Sequence, residues 1–533
     1  MIRLTEIKLP LDHPQHAIHD AIIQRLGIRV DELEHFNIFR RGFDARKPSA
    51  ISLIYTLDVT VTHEEKVLAR FKNDLHVKPA PDTSYHFVAQ ATNAISERPV
   101  IIGTGPCGIF AGLILAQMGF KPIILERGKA VRERTKDTWG LWRKHELNPE
   151  SNVQFGEGGA GTFSDGKLYS QIKDPKHYSR KVFSEFIKAG APPEIMYVSK
   201  PHIGTFRLVG MVEEMRNTII SLGGEVRFQS RVTDIEIENG QVIGVQLASG
   251  EHIASRHVVL AIGHSARDTF EMLHQRGVFM EAKPFSIGFR IEHPQSLIDR
   301  AQFGPNAGNP LLGAADYKLV HHASNGRSVY SFCMCPGGTV VAATSEVGRV
   351  VTNGMSQYSR NERNANSGIV VGISPADYPG GALAGIEFQR RWESRAFELG
   401  GGNYNAPGQL VGDFIAQKPS EKLGSVLPSY TPGVTLGDLS TALPNYVIDA
   451  VREALPAFEK KIKGFAMHDA ILTGVETRTS SPLRIKRDET YQSLNTKGLF
   501  PAGEGAGYAG GILSAAIDGI EVAEAVALAM LKK

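Results

Sequence analysis

A chain of 533 residues, 42% hydrophobic and 22% charged, holds ample material for a core and, on length alone, for about three domains. A formal net charge of +3 supplies no global field calling for nucleic acid or an anionic membrane, and three cysteines exclude a disulfide scaffold and suit a reducing, cytoplasmic setting. The N-terminus meets Glu6 and then Pro10 before a signal core is built, and the apolar stretch Gly511 to Met530 carries Asp518, Glu521 and Glu524. Neither a signal peptide nor a membrane span is therefore expected.

Residues 1–97 read as a separate α+β module. Ile2 to Leu9 has strand character, Ala17 to Leu26 places Ile18, Ala21, Ile22 and Leu26 on one helix face, and Ile51 to Val61 is rich in β-branched and aromatic residues. Between that helix and the last strand lie Arg40, Arg41, Arg46 and Lys47. They read as a solvated loop, with a phosphate or RNA contact as the alternative. The run Lys78-Pro79-Ala80-Pro81-Asp82 reads as a linker.

The character changes at residue 98. Val100 to Ile102 is a short apolar run of the buried parallel kind, Ile109 to Met118 a helix, and Pro122 to Glu126 a second strand. Phe206 to Ser221 follows as a helix, then strands at Glu225 to Gln229, Val232 to Glu238 and Val242 to Leu247, with Asn239-Gly240 as the turn. Val258 to Gly263 closes this part as a buried strand, giving a first segment at 98–268. Residues 269–494 loosen into a glycine-rich mixed α+β pattern and read as an inserted substrate-binding cap, and the strand–glycine–helix style returns over 495–533. The helix face Ile512, Leu513, Ala516, Ile517 and Ile520 needs a sheet to cover, so this closing segment is expected to pack back on the Ile101 layer.

The string G-x-G-x-x-G occurs at 103–108, 156–161 and 505–510, and context separates the three. Only the first follows a strand, opens a helix and has an acid, Glu126, at the end of the next strand. Gly103 permits the tight turn, Gly105 lets backbone approach a pyrophosphate, and Gly108 lets helix and strand pack closely. The helix N-terminus, with Pro106 and Cys107, faces the phosphate charge, and Glu126, followed by Arg127, accepts from ribose hydroxyls. In the second string Gly158, Gly159, Gly161 and the following Thr162 offer backbone amides to a ligand. The third has no room after it for a ribose acid, so it is no second dinucleotide fingerprint.

That third segment, Gly503, Glu504, then Gly510, Gly511 and Ile512, resembles the closing motif of large flavoproteins, with Glu504 where an aspartate is usual. With Ser331 to Gly338 and Gly474 to Pro482, these motifs resemble bacterial FAD-dependent dehydrogenase-like flavoproteins of the two-dinucleotide-binding type. The resemblance implies an α/β fold: a Rossmann-like FAD-binding domain split by a large α+β insertion, behind a small N-terminal α+β domain. It implies a non-covalent FAD, an adenine held by the backbone of Val232, and a cofactor path lined by Ala261 and Gly263. The activity expected is that of an oxidoreductase acting on a small molecule, with NAD(P)H as a transient redox partner. Flavin-dependent RNA modification and a non-catalytic flavoprotein sensor are the alternatives. Glu476 and Arg478 are the candidates for the catalytic centre, Arg478 as a carboxylate clamp or else in a structural ion pair. Cys107 lies inside the glycine turn, where small size explains it, and Cys333 and Cys335 read as packing residues because a disulfide across one residue is strained, with a redox pair as the alternative. His321-His322 and His468-Asp469 lack the spacing of metal ligands, and no metal is expected.

Overall fold

The structure, a computed structural model, describes residues 1–92, 97–170 and 172–532; residues 93–96, just ahead of the expected boundary at 97, and 171 and 533 lie outside the described residues. The N-terminal module runs β1 (Ile2–Pro10), α1 (Ala17–Leu26), β2 (Leu33–Asp44), β3 (Ser52–Val61), α2 (Glu64–Arg70) and β4 (Val77–Pro79). Its antiparallel sheet has the order β2-β3-β1-β4, two interleaved split βαβ units. In β3 strict alternation buries Leu53, Tyr55, Leu57, Val59 and Val61 against the α1 residues Ile18, Ile22 and Leu26. One expectation fails here. Arg40 and Arg41 sit within β2, opposite Thr56 and Tyr55, rather than in a loop. A polar, half-buried edge strand carries no period-two apolar pattern to betray it.

The second unit is a five-stranded parallel sheet. Its first part contains β5 (Val100–Ile102), α3 (Pro106–Gln117), β6 (Ile123–Leu125), α4 (Val131–Lys144), α5 (Tyr178–Lys188), α6 (Thr205–Ser221) and β7 (Glu225–Arg227). An antiparallel layer of β8 (Val232–Glu238), β9 (Gln241–Leu247) and β10 (His252–Ala254) precedes β11 (Val258–Leu260) and α7 (Arg267–Gln275). The sheet order is β23-β11-β5-β6-β7, where β23 (Leu499–Pro501) arrives from the far end of the chain and is followed by α12 (Ile512–Leu531). The strand order reverses between β5 and β11, the switch point at which open α/β sheets bind ligands. The fold is thus the α/β, Rossmann-like one, with its sheet split by an insertion.

The insertion leaves through β12 (Met280–Ala282) and returns through β22 (Leu483–Ile485), which pair as a two-stranded neck. Between them lie β13 (Phe285–Pro294), α8 (Gln295–Phe303), β14 (Val320–His322), β15 (Ser328–Cys335), β16 (Gly338–Ala342), β17 (Thr352–Ser356) and β18 (Asn364–Ile373). Then come α9 (Ala384–Leu399), β19 (Ala406–Leu410), α10 (Val411–Ile415), β20 (Val434–Leu436), α11 (Asn445–Glu459) and β21 (Ile471–Glu476). Seven strands form one sheet, β14-β15-β18-β13-β21-β19-β20. Strand β13 is buried along nearly its whole length although it carries Arg290, Glu292 and His293, so its polar residues must find partners inside.

Helices α3 and α12 pack in one apolar cluster with Ile101, Val259 and Phe500. A Cβ added at Gly519 would lie 2.3 Å from the Cys107 carbonyl oxygen, so the two helices touch backbone to backbone. Gly519→Val is expected to push them apart and lower the unfolding free energy by about 1–3 kcal/mol, the usual cost of overpacking. Urea denaturation checks this; an unchanged midpoint would place the two helices too close here.

Candidate functional site

Three glycine segments meet at the C-terminal ends of the parallel strands. Gly103 turns the chain after β5 with φ +106°, and a Cβ there would lie 2.3 Å from the Ala261 carbonyl oxygen. At Gly108 it would lie 2.0 Å from the oxygen of Gly103. Gly105 differs: the nearest atom to its Cβ position is Gly159 Cα at 3.8 Å, so the space beside it is open. The second segment closes over the first, with Gly158 N–H donating to the Thr104 carbonyl at 2.9 Å. A Cβ at Gly161 would touch Ile512 Cγ1 at 3.1 Å and Pro106 at 3.6 Å. The third segment joins through Gly505, whose Cβ position is 2.4 Å from the Gly263 oxygen, and Gly263 itself (φ +70°) faces open space. The first amides of a helix have no intrahelical acceptors and carry its positive dipole end. The α3 terminus opening on the space beside Gly105 therefore fits a diphosphate, and Gly510 and Gly511 bring the N-terminus of α12 to the same side.

The residues around this cradle are held from behind. Glu126 is buried, and its carboxylate accepts from Thr104 N at 3.0 Å, Thr104 Oγ1 at 2.6 Å, Gly128 N at 2.9 Å and Gly156 N at 3.0 Å. All its acceptor positions are engaged in knitting the two glycine loops together. Its expected role as a ribose acceptor requires some of these bonds to be exchanged. Arg127 lies over the Phe155 ring and pairs with Glu150 and Asp268, so its fork is also in use. The backbone of Gln229 and Ser230 donates to Gly128 and Glu126, which brings Val232, buried at the start of β8, alongside. Thr162 is buried under Gly158, within reach of Arg134.

Sequence reasoning missed Arg134. It is fully buried and donates to the carbonyls of Asn152 at 2.7 Å, Val153 at 2.7 Å and Glu157 at 2.7 Å, bracing the whole 152–157 loop. Burial lowers its pKa to about 10. Nothing in an amphipathic helix marks one arginine for the inside. Glu504 lies where the flavoprotein motif has aspartate; it accepts from Ser481 N at 2.8 Å and feels Lys283. Burial pushes its carboxyl up to about 7, so it changes charge near neutrality. On α12, Asp518 accepts from Gly503 N at 2.7 Å and pairs with Arg487, fixing the turn before Glu504.

Both candidates for the catalytic centre are committed elsewhere. Glu476 forms a bidentate pair with Arg290 of the neighbouring strand; burial pushes it up to about 7 while Arg290 pulls it down, and we take the two-point pair to keep it ionised. Arg478 forks onto Glu393 at 2.9 Å and 3.0 Å and donates to Ser265 at 3.0 Å and Ser345 at 2.7 Å, while Arg267 takes the other side of Glu393. Arg478 therefore belongs to a buried ion network, not to a free clamp. The cysteines divide. Cys107 is squeezed between Gly503 and Gly519, which explains its size. Cys333 and Cys335 instead lie in a polar cluster with Arg290, Lys167 and Asp165. Of the basic cluster, Arg46 pairs with Asp44 and Arg41 stacks on Tyr197. His321 pairs with Glu453 and His468 with Asp469; among the described residues no group of three or more metal-binding side chains occurs. Among them, too, no helix is long and apolar enough to cross a membrane.

Residues 284–479 match the family described as FAD-dependent protein, C-terminal domain-like, and residues 198–302 match FAD dependent oxidoreductase. Residues 1–60 match a domain of unknown function. An uncharacterized protein of Clostridium beijerinckii is 50% identical over 525 residues, covering 98% of each chain. Among solved structures, the flavin-dependent brominase Bmp2 aligns with TM-score 0.38 and 13% identity over 82% of this chain and 80% of its own. The 3-ketosteroid-Δ4-(5α)-dehydrogenase of Rhodococcus jostii aligns with TM-score 0.36 and 12% identity over 82% of this chain and 99% of its own.

Two outcomes follow from this geometry. Gly105→Val fills the open side of the cradle and should abolish cofactor retention in a folded protein; a folded variant, by circular dichroism, that keeps its full cofactor content would misplace the phosphate site. Glu504 has a folded pKa near 7, above the usual carboxylate value of 4.5, so the folded state holds the proton more tightly. Its contribution to stability is present below about 4.5 and is lost as pH rises through about 7. Glu504→Gln should remove that part of the decline, read by urea melts across the window; an identical pH slope in the variant would refute it.

Proposed function

We propose, from the premise that this chain belongs to a family of FAD-dependent oxidoreductases, that it moves hydride or electrons between FAD and a small molecule bound beneath the cap. The observation that carries this reading is the space beside Gly105, which faces the N-terminus of α3 and is walled by Gly159. The FAD, when bound, supplies the redox chemistry. The residues that would hold it are Gly103, Gly105, Pro106, Cys107 and Gly108 with Glu126 and Arg127, then Gly158, Gly159, Gly161 and Thr162. Val232 would hold the adenine through its backbone, Ala261 and Gly263 would line the cofactor path, and Gly503, Glu504, Gly510, Gly511 and Ile512 would take the flavin end. The α3 amides offset the diphosphate charge. The α12 N-terminus favours negative charge on the ring system, and Glu504 can hold or release a proton at neutral pH.

The cap is tied to the glycine loops by side chains that cross between them. Asp165 pairs with Arg360, and Thr205 of α6, which donates to the Ser164 carbonyl at 2.8 Å, also reaches the Ser356 carbonyl of the cap at 3.4 Å. A small molecule entering between the two units would be shielded from water, which suits hydride transfer. NAD(P)H is the proposed transient reductant, meeting the flavin without a second dinucleotide fingerprint of its own.

The protein should purify yellow and release FAD, not FMN, on mild denaturation, as chromatography of the supernatant would record. Recovery of FMN, or a colourless protein that takes up no FAD, would overturn the reading. Under anaerobic conditions NAD(P)H should bleach the flavin absorbance; no bleaching by either coenzyme would remove the nicotinamide partner while leaving the FAD assignment in place.

A further inference from the structure

Cys333 and Cys335 stand at a break in the cap sheet. Along β15 the partners of β18 run Phe332 to Gly368 and then Cys335 to Asn366, so three steps on one strand match two on the other. The extra residue is a β-bulge, and Cys333 within it adopts φ +43°. A non-glycine residue held in the left-handed region is strained, and bulges recur beside active sites, where they re-aim a side chain.

Three donors pin this strained segment. Arg290 Nη1 donates to the Cys333 carbonyl at 2.8 Å, Cys335 Sγ donates to the same oxygen at 3.3 Å, and Lys167 Nζ donates to the carbonyl of Met334. Lys167 follows directly from the second glycine segment through Ser164 and Asp165, so the cysteines face the end of the loop that wraps the cofactor cradle.

The charge balance here is incomplete. Asp165 takes the fork of Arg360 and Glu476 takes that of Arg290, while Lys167 lies 3.8 Å from the already engaged Asp165. Three buried or half-buried cations thus meet two carboxylates. A thiolate at Cys333 restores neutrality, which is why a cysteine beside Lys or Arg is a nucleophile rather than packing. Pairing with the Cys335 side chain, with Lys167 and Arg290 adding their charge, holds the Cys333 thiol well below its usual range. That same pairing and burial push Cys335 up. Cys333 is half-buried and Cys335 buried, the arrangement of an attacking and a resolving thiol.

We propose that Cys333 and Cys335 form a redox-active dithiol that exchanges two electrons with the FAD. The inference rests on the FAD reading above. In the oxidising direction the Cys333 thiolate and the Cys335 thiol lose two electrons and one proton as the Sγ–Sγ bond forms, and FAD takes up both electrons and the proton. In the reverse direction reduced FAD gives them back and the bond opens. The strain of so short a disulfide ring, the reason for reading these cysteines as packing, works in favour of exchange, because strained disulfides have the more oxidising potentials and are the labile ones. Cys333 is the more exposed of the two, so the external couple this pair fits is thiol–disulfide.

The test uses the purified holoprotein. Anaerobic titration with dithionite should consume two electrons per FAD beyond those that reduce the flavin, and Cys335→Ser and Cys333→Ser should each lose that excess. Independently of the flavin, peptide mapping of the air-oxidised protein should find Cys333 and Cys335 linked within the tryptic peptide Ser328 to Arg349. After reduction, iodoacetamide at neutral pH should label Cys333 at least tenfold faster than Cys107. Wild-type protein that takes up no excess electrons and keeps both thiols free after oxidation overturns the proposal. If the protein holds no FAD but forms the linked peptide, the flavin reading fails while the dithiol stands as a thiol pair without its flavin partner, so the two failures are distinguishable.

Discussion

Backbone meets backbone at the ends of β5 and β23, and the rest of the molecule is arranged around that closeness. Gly519 sets α12 against the carbonyl of Cys107, Gly503 sets the last turn against the Cys107 side chain, and Gly505 rests on the oxygen of Gly263. Any side chain at these points would separate the elements by the width of a methyl group or more. Because they do not separate, segments about four hundred residues apart in sequence present two helix N-termini to one side of one sheet. The insertion between β11 and β23 is tolerable for the same reason: it leaves and returns through the β12–β22 neck without disturbing the parallel register. A sheet of three-residue strands has little hydrogen bonding of its own. Its order comes from helices packed on it, and the glycines permit that packing.

Much of this unit was legible beforehand because its signals are local. A buried parallel strand is an apolar run bounded by glycine or proline, as at Val100 to Ile102 and Val258 to Leu260, and the glycine spacing after β5 follows from the needs of a turn and a phosphate. The cap was opaque for the opposite reason. Strand β13 reads Phe-Ser-Ile-Gly-Phe-Arg-Ile-Glu-His-Pro, and both faces are buried, so its charged residues look like a solvent face until their partners appear from distant segments. Glu476 meets Arg290 from nearly two hundred residues away, and Glu393 gathers Arg267 and Arg478 from opposite sides. No spacing rule encodes such pairings. The N-terminal module hid β2 by the same principle, its residues being half-buried or exposed with polar and apolar side chains intermixed. In the candidate site, Glu126 was recognised by position, yet its engagement with Thr104, Gly128 and Gly156 depends on a second loop whose path no motif specifies.

The buried ion networks of the cap are poor sources of net stability. Desolvating a guanidinium and a carboxylate costs several kcal/mol each, and their attraction does little more than offset it. Their effect is on specificity of structure. Glu393 holds Arg267 at the foot of α7 and Arg478 just beyond β21, so the cap docks on the parallel-sheet unit in one orientation or leaves charges unpaired. A hydrophobic interface of the same area would tolerate sliding; this one does not, since a shift of a few ångströms breaks bidentate geometry on both arginines.

That rigidity bears on what can happen between the two units. The segment from Ser164 to Lys167 leaves the second glycine loop and is fastened to the cap directly by Arg360 on Asp165 and by Lys167 on the Met334 carbonyl, and indirectly through Thr205 of α6, whose hydroxyl reaches the carbonyls of both Ser164 and Ser356. A displacement of the glycine loop would therefore pull on β15 beside its strained residue, through the bond from Lys167 to the Met334 carbonyl. The glycine loop and cap strand β15 are thus joined through the side chains of one short segment.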